Sequence, residues 1–152
     1  MSRTFRLDAE LDLPRPREEV FAFFADPRNL EAITPPWLRF RIASEGPLEM
    51  RAGALIDYRL SLRGIPFGWR TLISAWEPPQ RFVDEQLRGP YRLWRHEHRF
   101  EERPGGTRIL DRVDYQVPGG ALVERLLVRP DLERIFAWRQ ARVRELLEPP
   151  HA

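Results

Sequence analysis

Residues Phe5–Leu13 alternate strictly, with Phe5, Leu7, Ala9, Leu11 and Leu13 on one face and Arg6, Asp8, Glu10 and Asp12 on the other. That is the pattern of a half-buried strand. Pro14 and Pro16 end it. The period then changes. Arg17–Ala25 carries Val20, Phe21, Phe23 and Phe24 as a wide apolar stripe, which predicts a helix entered through proline. Asp26 is positioned to cap a second short helix with Pro27 at its first residue. Leu30 and Ile33 form its inner side, and Pro35-Pro36 stops it.

Six further strands are predicted: Leu38–Ser44, Ala54–Leu62, Phe67–Glu77, Gln80–Arg88, Tyr91–Glu102 and Thr107–Val117. The turns between them are Glu45-Gly46-Pro47, Arg63-Gly64-Ile65-Pro66, Pro78-Pro79, Gly89-Pro90 and Pro104-Gly105-Gly106. Connections this short favour antiparallel hairpins over parallel crossovers. After Pro118-Gly119-Gly120 the helical period returns. Ala121–Val128 is a short apolar run, read as broken by Pro130, with Asp131 capping a long helix beyond it. Leu132, Ile135, Phe136, Arg139, Val143, Leu146 and Leu147 recur at helical spacing as far as Pro149-Pro150. Arg134, Arg142 and Arg144 are read as its wet face. One antiparallel sheet covered on one face by a long helix is an α+β arrangement, and a sheet curled around that helix leaves a concave pocket between the two.

Composition narrows the picture. The 152 residues suit a single domain over 1–152, large enough to bury a core without cross-links. Cysteine is absent, which excludes a disulfide framework and a thiolate metal site. All 25 basic residues are arginine and net charge is only +2, so the pI near 9.6 overstates how basic the chain is at neutrality. Arginine is interleaved with acidic residues, not clustered, which argues against nucleic acid as a partner. The opening MSRTFRLDAELDL lacks an apolar leader and no stretch is long enough to span a bilayer, so the expected location is cytoplasmic, with no stable membrane insertion. No nucleophile elbow and no phosphate loop is present, and no cofactor is expected. The apolar residues of 121–128 leave open a homodimer face.

The candidate chemistry sits in YRLWRHEHRFEE, residues 91–102. Alternation puts Trp94, His96, His98 and Phe100 on the inner face. Ile109, Asp111, Val113 and Tyr115 share the inner face of the next strand. A tight turn places His98 opposite Asp111, whereas a slip of two residues puts Asp111 beside Phe100. Across Gly89-Pro90, Phe82, Asp84 and Gln86 are expected on the same inner face. Directly opposite side chains lie about 4.5–5.5 Å apart at Cβ. Asp84, Gln86, His96, His98 and Asp111 can therefore form a polar cluster in an apolar cavity walled by Tyr58, Trp69, Trp94 and Tyr115.

Four roles are open to that cluster. The favoured one is a polar patch orienting a largely apolar ligand. The others are a self-satisfied buried network, acid–base catalysis by His96 or His98 beside Asp111 or another carboxylate, and a metal held by the His-x-His pair with Asp111. The last is the weakest, and no metal is expected.

Two stretches, LPRPREEVFAFFADPRNLEAITPPWLRF and GWRTLISAWEPPQRFVDEQLRGPYRLWRHEHRFEERPGGTRILDRVDYQVPGG, resemble the START-like (SRPBCC) superfamily. This group comprises birch-pollen-allergen-like helix-grip proteins, and the second stretch is similar to a bacterial subgroup of polyketide cyclase/dehydrase-like members. The resemblance implies a seven-stranded antiparallel sheet gripping the C-terminal helix, two short helices between strands 1 and 2, and a hydrophobic cavity. It implies binding of a small hydrophobic ligand (lipid-, polyketide- or aromatic-like). The alternatives are a cyclase or dehydratase using His96 or His98 with a neighbouring Asp, and a co-chaperone-like interaction module.

Overall fold

Among the described residues, seven strands form one sheet: β1 (Phe5–Leu13), β2 (Arg41–Ile42), β3 (Leu55–Leu62), β4 (Ile65–Glu77), β5 (Arg81–Arg88), β6 (Leu93–Arg103) and β7 (Gly106–Gln116). The structure is a computed structural model and describes residues 3–44 and 48–148. The order is β1-β7-β6-β5-β4-β3-β2 and every pairing is antiparallel. β1 lies beside the last strand, and only the connection from β1 to β2 crosses the sheet. That crossing carries helices α1 (Arg17–Ala25) and α2 (Arg28–Ala32). The bounds of β1 and α1 are those the hydropathy period predicts. The N-cap position of α2 is Pro27, not Asp26 as expected, but the Asp26 carboxylate just ahead of it accepts the Arg28 N–H at 3.0 Å.

Several local expectations are corrected. The strand expected at Leu38–Ser44 shrinks to Arg41–Ile42, because Pro36–Leu38 forms a 3-10 turn and Arg39 is left-handed (φ 49°). Ile65 and Pro66 belong to β4, not to a turn. Arg63 and Gly64 make the two-residue turn alone, both at positive φ (51° and 81°), the geometry that matches strand twist in a tight hairpin. Tyr91 lies outside β6, which starts at Leu93. The expected turn at Glu45-Gly46-Pro47 lies outside the described residues.

The C-terminal helix is also less interrupted than predicted. It runs as α3 (Gly120–Val123), a π turn (Glu124–Val128) and α4 (Arg129–Leu147). Gly119 and Gly120, both at positive φ (93° and 73°), turn the chain from β7 into it. Pro130 does not break the helix. It sits in the first turn of α4, where a missing N–H is tolerated, and the π turn precedes it. Asp131 does not cap; its carboxylate accepts two hydrogen bonds from Arg63 (3.0 and 3.1 Å) and ties the β3–β4 turn to α4. Of the expected wet-face arginines, Arg142 donates to Ala32 O (3.3 Å) and Glu145, Arg134 lies over Trp37, and Arg144 is exposed.

The core divides into two clusters along the inner face. Leu11, Leu13, Phe82, Phe100 and Ile109 pack against Val20, Phe21 and Phe24 of α1 and Val143 of α4. Val113, Tyr115 and Val117 pack against Leu132 and Phe136. On β6 the residues between Phe100 and Trp94 are His98 and His96, and on β7 the inward residue between Ile109 and Val113 is Asp111. A polar belt therefore crosses the sheet between two apolar clusters.

Candidate functional site

Strand pairing assembles the belt. His96 faces Asp84 on β5 and Val113 on β7, while His98 faces Phe82 and Asp111. The tight-turn register, not the slipped one, is the one adopted. The side chains then cross. His96 Nε2 lies 2.8 Å from Asp111 Oδ1, and His98 Nε2 lies 2.6 Å from Asp84 Oδ2. Both carboxyls are held below their usual value. Burial works against their charge, but the histidine hydrogen bonds outweigh it. An ionised carboxylate only accepts, so each Nε2 carries a proton and donates.

The two imidazoles differ. Burial and the charge of His98 push His96 below its usual pKa, whereas for His98 burial is outweighed by Asp111 and Asp84, and its pKa is raised. His98 is therefore the cation of the pair and His96 the neutral ring. Their rings stack with centroids 3.6 Å apart at 26°, an arrangement that two cations would not share. His98 Nδ1 is buried and sits 3.4 Å from Asp111 Oδ1, an ion-pair contact without hydrogen-bond geometry.

The cavity lies between this belt, β3, β4 and α4, with a volume of about 160 Å³. Of the residues expected in it, Tyr58, Trp69, Asp84, Trp94, His96 and His98 line it. Burial raises the Tyr58 hydroxyl well above the usual phenol value, so it is a neutral donor. Asp111 stands behind the histidine rings and orients them. Gln86 does not face the cavity; its amide accepts from Tyr91 N (3.1 Å) and donates to Tyr91 O (2.7 Å), fixing the β5–β6 connection. Tyr115 is fully buried to one side, donating to Glu124 Oε1 at 2.6 Å, where Arg129 also donates at 2.8 Å.

Sequence reasoning missed Tyr91, Thr71 and Phe40, which join the lining. It also left α4's contribution unassigned: Leu132, Ile135, Phe136 and Arg139. The signal was present, because Arg139 is a charged residue on an otherwise apolar helical stripe. A larger depression of about 700 Å³, bordered by Glu31, Pro35, Trp138, Arg142 and Glu145, shares only Thr34 and Phe40 with the inner cavity and holds none of the expected site residues.

Asp84, His96 and His98 present one donor atom each within 4.8 Å of one another, a set that can meet a divalent ion. Metal–imidazole bonds lie in the ring plane, and these rings are stacked. Both cannot aim at one ion unless a ring turns, which breaks its hydrogen bond to a carboxylate.

Comparison with known proteins adds a family and a fold. The family model for polyketide cyclase / dehydrase and lipid transport matches residues 13–144. No curated protein matches the chain in sequence. The fold is similar to that of protein Ms6760 from Mycobacterium smegmatis (TM-score 0.69, 19% identity, covering 93% of this chain and 90% of that one). It is similar to ginseng major latex-like protein 151 from Panax ginseng (TM-score 0.72, 13% identity, 96% and 99%). It is also similar to protein CV1439 from Chromobacterium violaceum (TM-score 0.72, 15% identity, 97% and 99%).

Proposed function

Because the chain belongs to the polyketide cyclase / dehydrase and lipid transport family, within the START-like helix-grip superfamily, we propose that it binds a small, mostly apolar molecule between its sheet and α4. The observation that carries this reading is the cavity itself. Its walls are mainly aromatic and aliphatic, with Asp84, His96 and His98 supplied by the sheet and Arg139 by α4. A pocket of this kind gains affinity from apolar contact and orientation from a few placed polar groups. Native mass spectrometry of gently purified protein tests it. The expected result is a co-purifying small molecule, or uptake of one from a panel of fatty acids, aromatic polyketides, small aromatic acids and sterols. A protein that carries none and takes up none contradicts the reading and favours an interaction module.

A cyclase or dehydratase is the second reading, favoured by one feature. His96 is neutral, and Asp111 fixes its proton on Nε2, so the Nδ1 lone pair is the base the ring can offer a ligand. His96→Ala separates the two. A binder loses affinity modestly, whereas an enzyme loses turnover with binding largely kept.

A further inference from the structure

Arg139 is the one charged residue among the four that α4 contributes to the cavity. Its guanidinium packs over the rings of Phe24 and Phe136, 5.5 and 5.8 Å from their centroids. Its Nη2 is buried and has no hydrogen-bond acceptor. Among the described residues, no carboxylate forms an ion pair with it. Arginine cannot discard its proton, so this is a permanent charge with an unmet donor at the edge of an apolar space. The nearby acids are already engaged: Asp111 accepts from His96 and Asp84 from His98. With His96 neutral and His98 charged, the two carboxylates leave the belt one negative charge, which acts on Arg139 only at a distance, since neither acid forms an ion pair or a hydrogen bond with it.

Size narrows the occupant. The cavity, at about 160 Å³, is close to the ~150 Å³ engineered apolar cavity that admits benzene. It is below the range of about 300–1,000 Å³ typical for drug-sized ligands. One ring or a short chain fits; a sterol does not fit this conformation. The walls around that space include Tyr58, Trp69, Tyr91 and Trp94.

We propose that the ligand is a small apolar acid, of about one aromatic ring or an equivalent short chain, whose carboxylate accepts from the Arg139 guanidinium while its apolar part lies against the aromatic walls. The inference rests on the binding reading above and names its ligand class. A charge-assisted hydrogen bond to a buried guanidinium distinguishes an acid from its neutral isostere, whereas the apolar walls treat the two alike.

The test is calorimetry and tryptophan fluorescence at pH 7 with matched probes: benzoate against benzamide, phenylacetate against phenylacetamide, and hexanoate against hexanol. The acids are expected to bind about 10- to 100-fold more tightly than their partners. Arg139→Met is expected to bring the acids down to the level of the neutral probes and leave those unchanged. Arg144→Met, on the exposed face of α4, is expected to change neither. Equal binding of acids and neutral probes to the wild-type protein overturns the headgroup assignment and leaves the binding reading standing. That comparison decides the matter even if Arg139→Met does not fold. Binding of sterols or long-chain acids without these small probes overturns the size assignment. Failure of every probe and of the wider panel overturns the binding reading, and this inference with it.

Discussion

His96 donates to Asp111 across 2.8 Å, although the residue facing Asp111 in the strand ladder is His98. His98 in turn passes over its own facing residue and bonds Asp84, which the ladder places opposite His96. The diagonal reach is within that of a histidine on neighbouring strands. Crossing links β5, β6 and β7 through one polar unit, so no member can be removed without leaving another unmet.

The two carboxylates should not be equivalent. Asp111 is buried and meets both histidines, whereas Asp84 is half-buried and meets one. Asp111→Ala strips the buried His98 cation of one of its two counter-charges and is expected to cost about 3–5 kcal/mol. Asp84→Ala is expected to cost about 1–3 kcal/mol. Urea denaturation of both variants checks the order; a smaller loss for Asp111→Ala would falsify the network as described.

The histidines should titrate on opposite sides of the ordinary imidazole value. His98 holds its proton more tightly folded than unfolded. Its contribution to stability is complete below about pH 6.5 and disappears as pH rises through its raised folded value. His96 has the opposite sign, because unfolding lets it take up a proton, and its contribution is lost as pH falls below about 6.5. Asp84 and Asp111 contribute above about pH 3.9 and lose that contribution as pH falls through their depressed folded values. In imidazole NMR, the resonances of His96 and His98 should titrate one below and one above about pH 6.5. In His96→Gln, stability should fall as pH rises through the His98 titration, and a rise would contradict the assignment.

Two glycines should respond with opposite signs. A Cβ on Gly106 would stand 2.0 Å from the Leu13 carbonyl oxygen, where β1 meets β7, and backbone cannot swing aside as a side chain can. Gly106→Ala is expected to cost about 1–3 kcal/mol. A Cβ on Gly68, within β4, meets nothing within 4 Å. Gly68→Ala is expected to stabilise by about 0.5–1 kcal/mol through the unfolded chain. Thermal melts of the pair read both signs at once.

The buried Tyr115–Glu124–Arg129 group anchors the π turn to β7. Tyr115→Phe removes one donor from a buried carboxylate and should cost about 1–3 kcal/mol. Glu124→Ala should cost more, because it leaves both the Tyr115 hydroxyl and Arg129 without their acceptor. A double-mutant cycle between 115 and 124 should show coupling, and additive losses would argue against the contact.

Much of this was legible one-dimensionally because local periodicity maps directly onto a half-buried sheet. β1, α1 and the inward face of β6 follow from residues two or four apart, and so does the placement of His96, His98 and Asp111 on one face. The errors fall where a local signal has two physical outcomes. Pro130 reads as a break, but proline in a helix's first turn is harmless, and the π turn before it lets the helix run on. Residues 38–44 read as a strand, but Pro35-Pro36 and the left-handed Arg39 hold most of the segment out of the sheet.

The sequence by itself determined the strand faces, the hairpin connections and the identity of the polar residues that must be buried, since a period of two allows each side chain only one of two sides. Only the tertiary structure decided which carboxylate each histidine meets, because that depends on rotamers chosen among three strands packed together. It alone removed Gln86 and Tyr115 from the cavity wall and turned Arg139 into it. Those choices depend on where α4 crosses the sheet, a long-range packing outcome that no local period encodes.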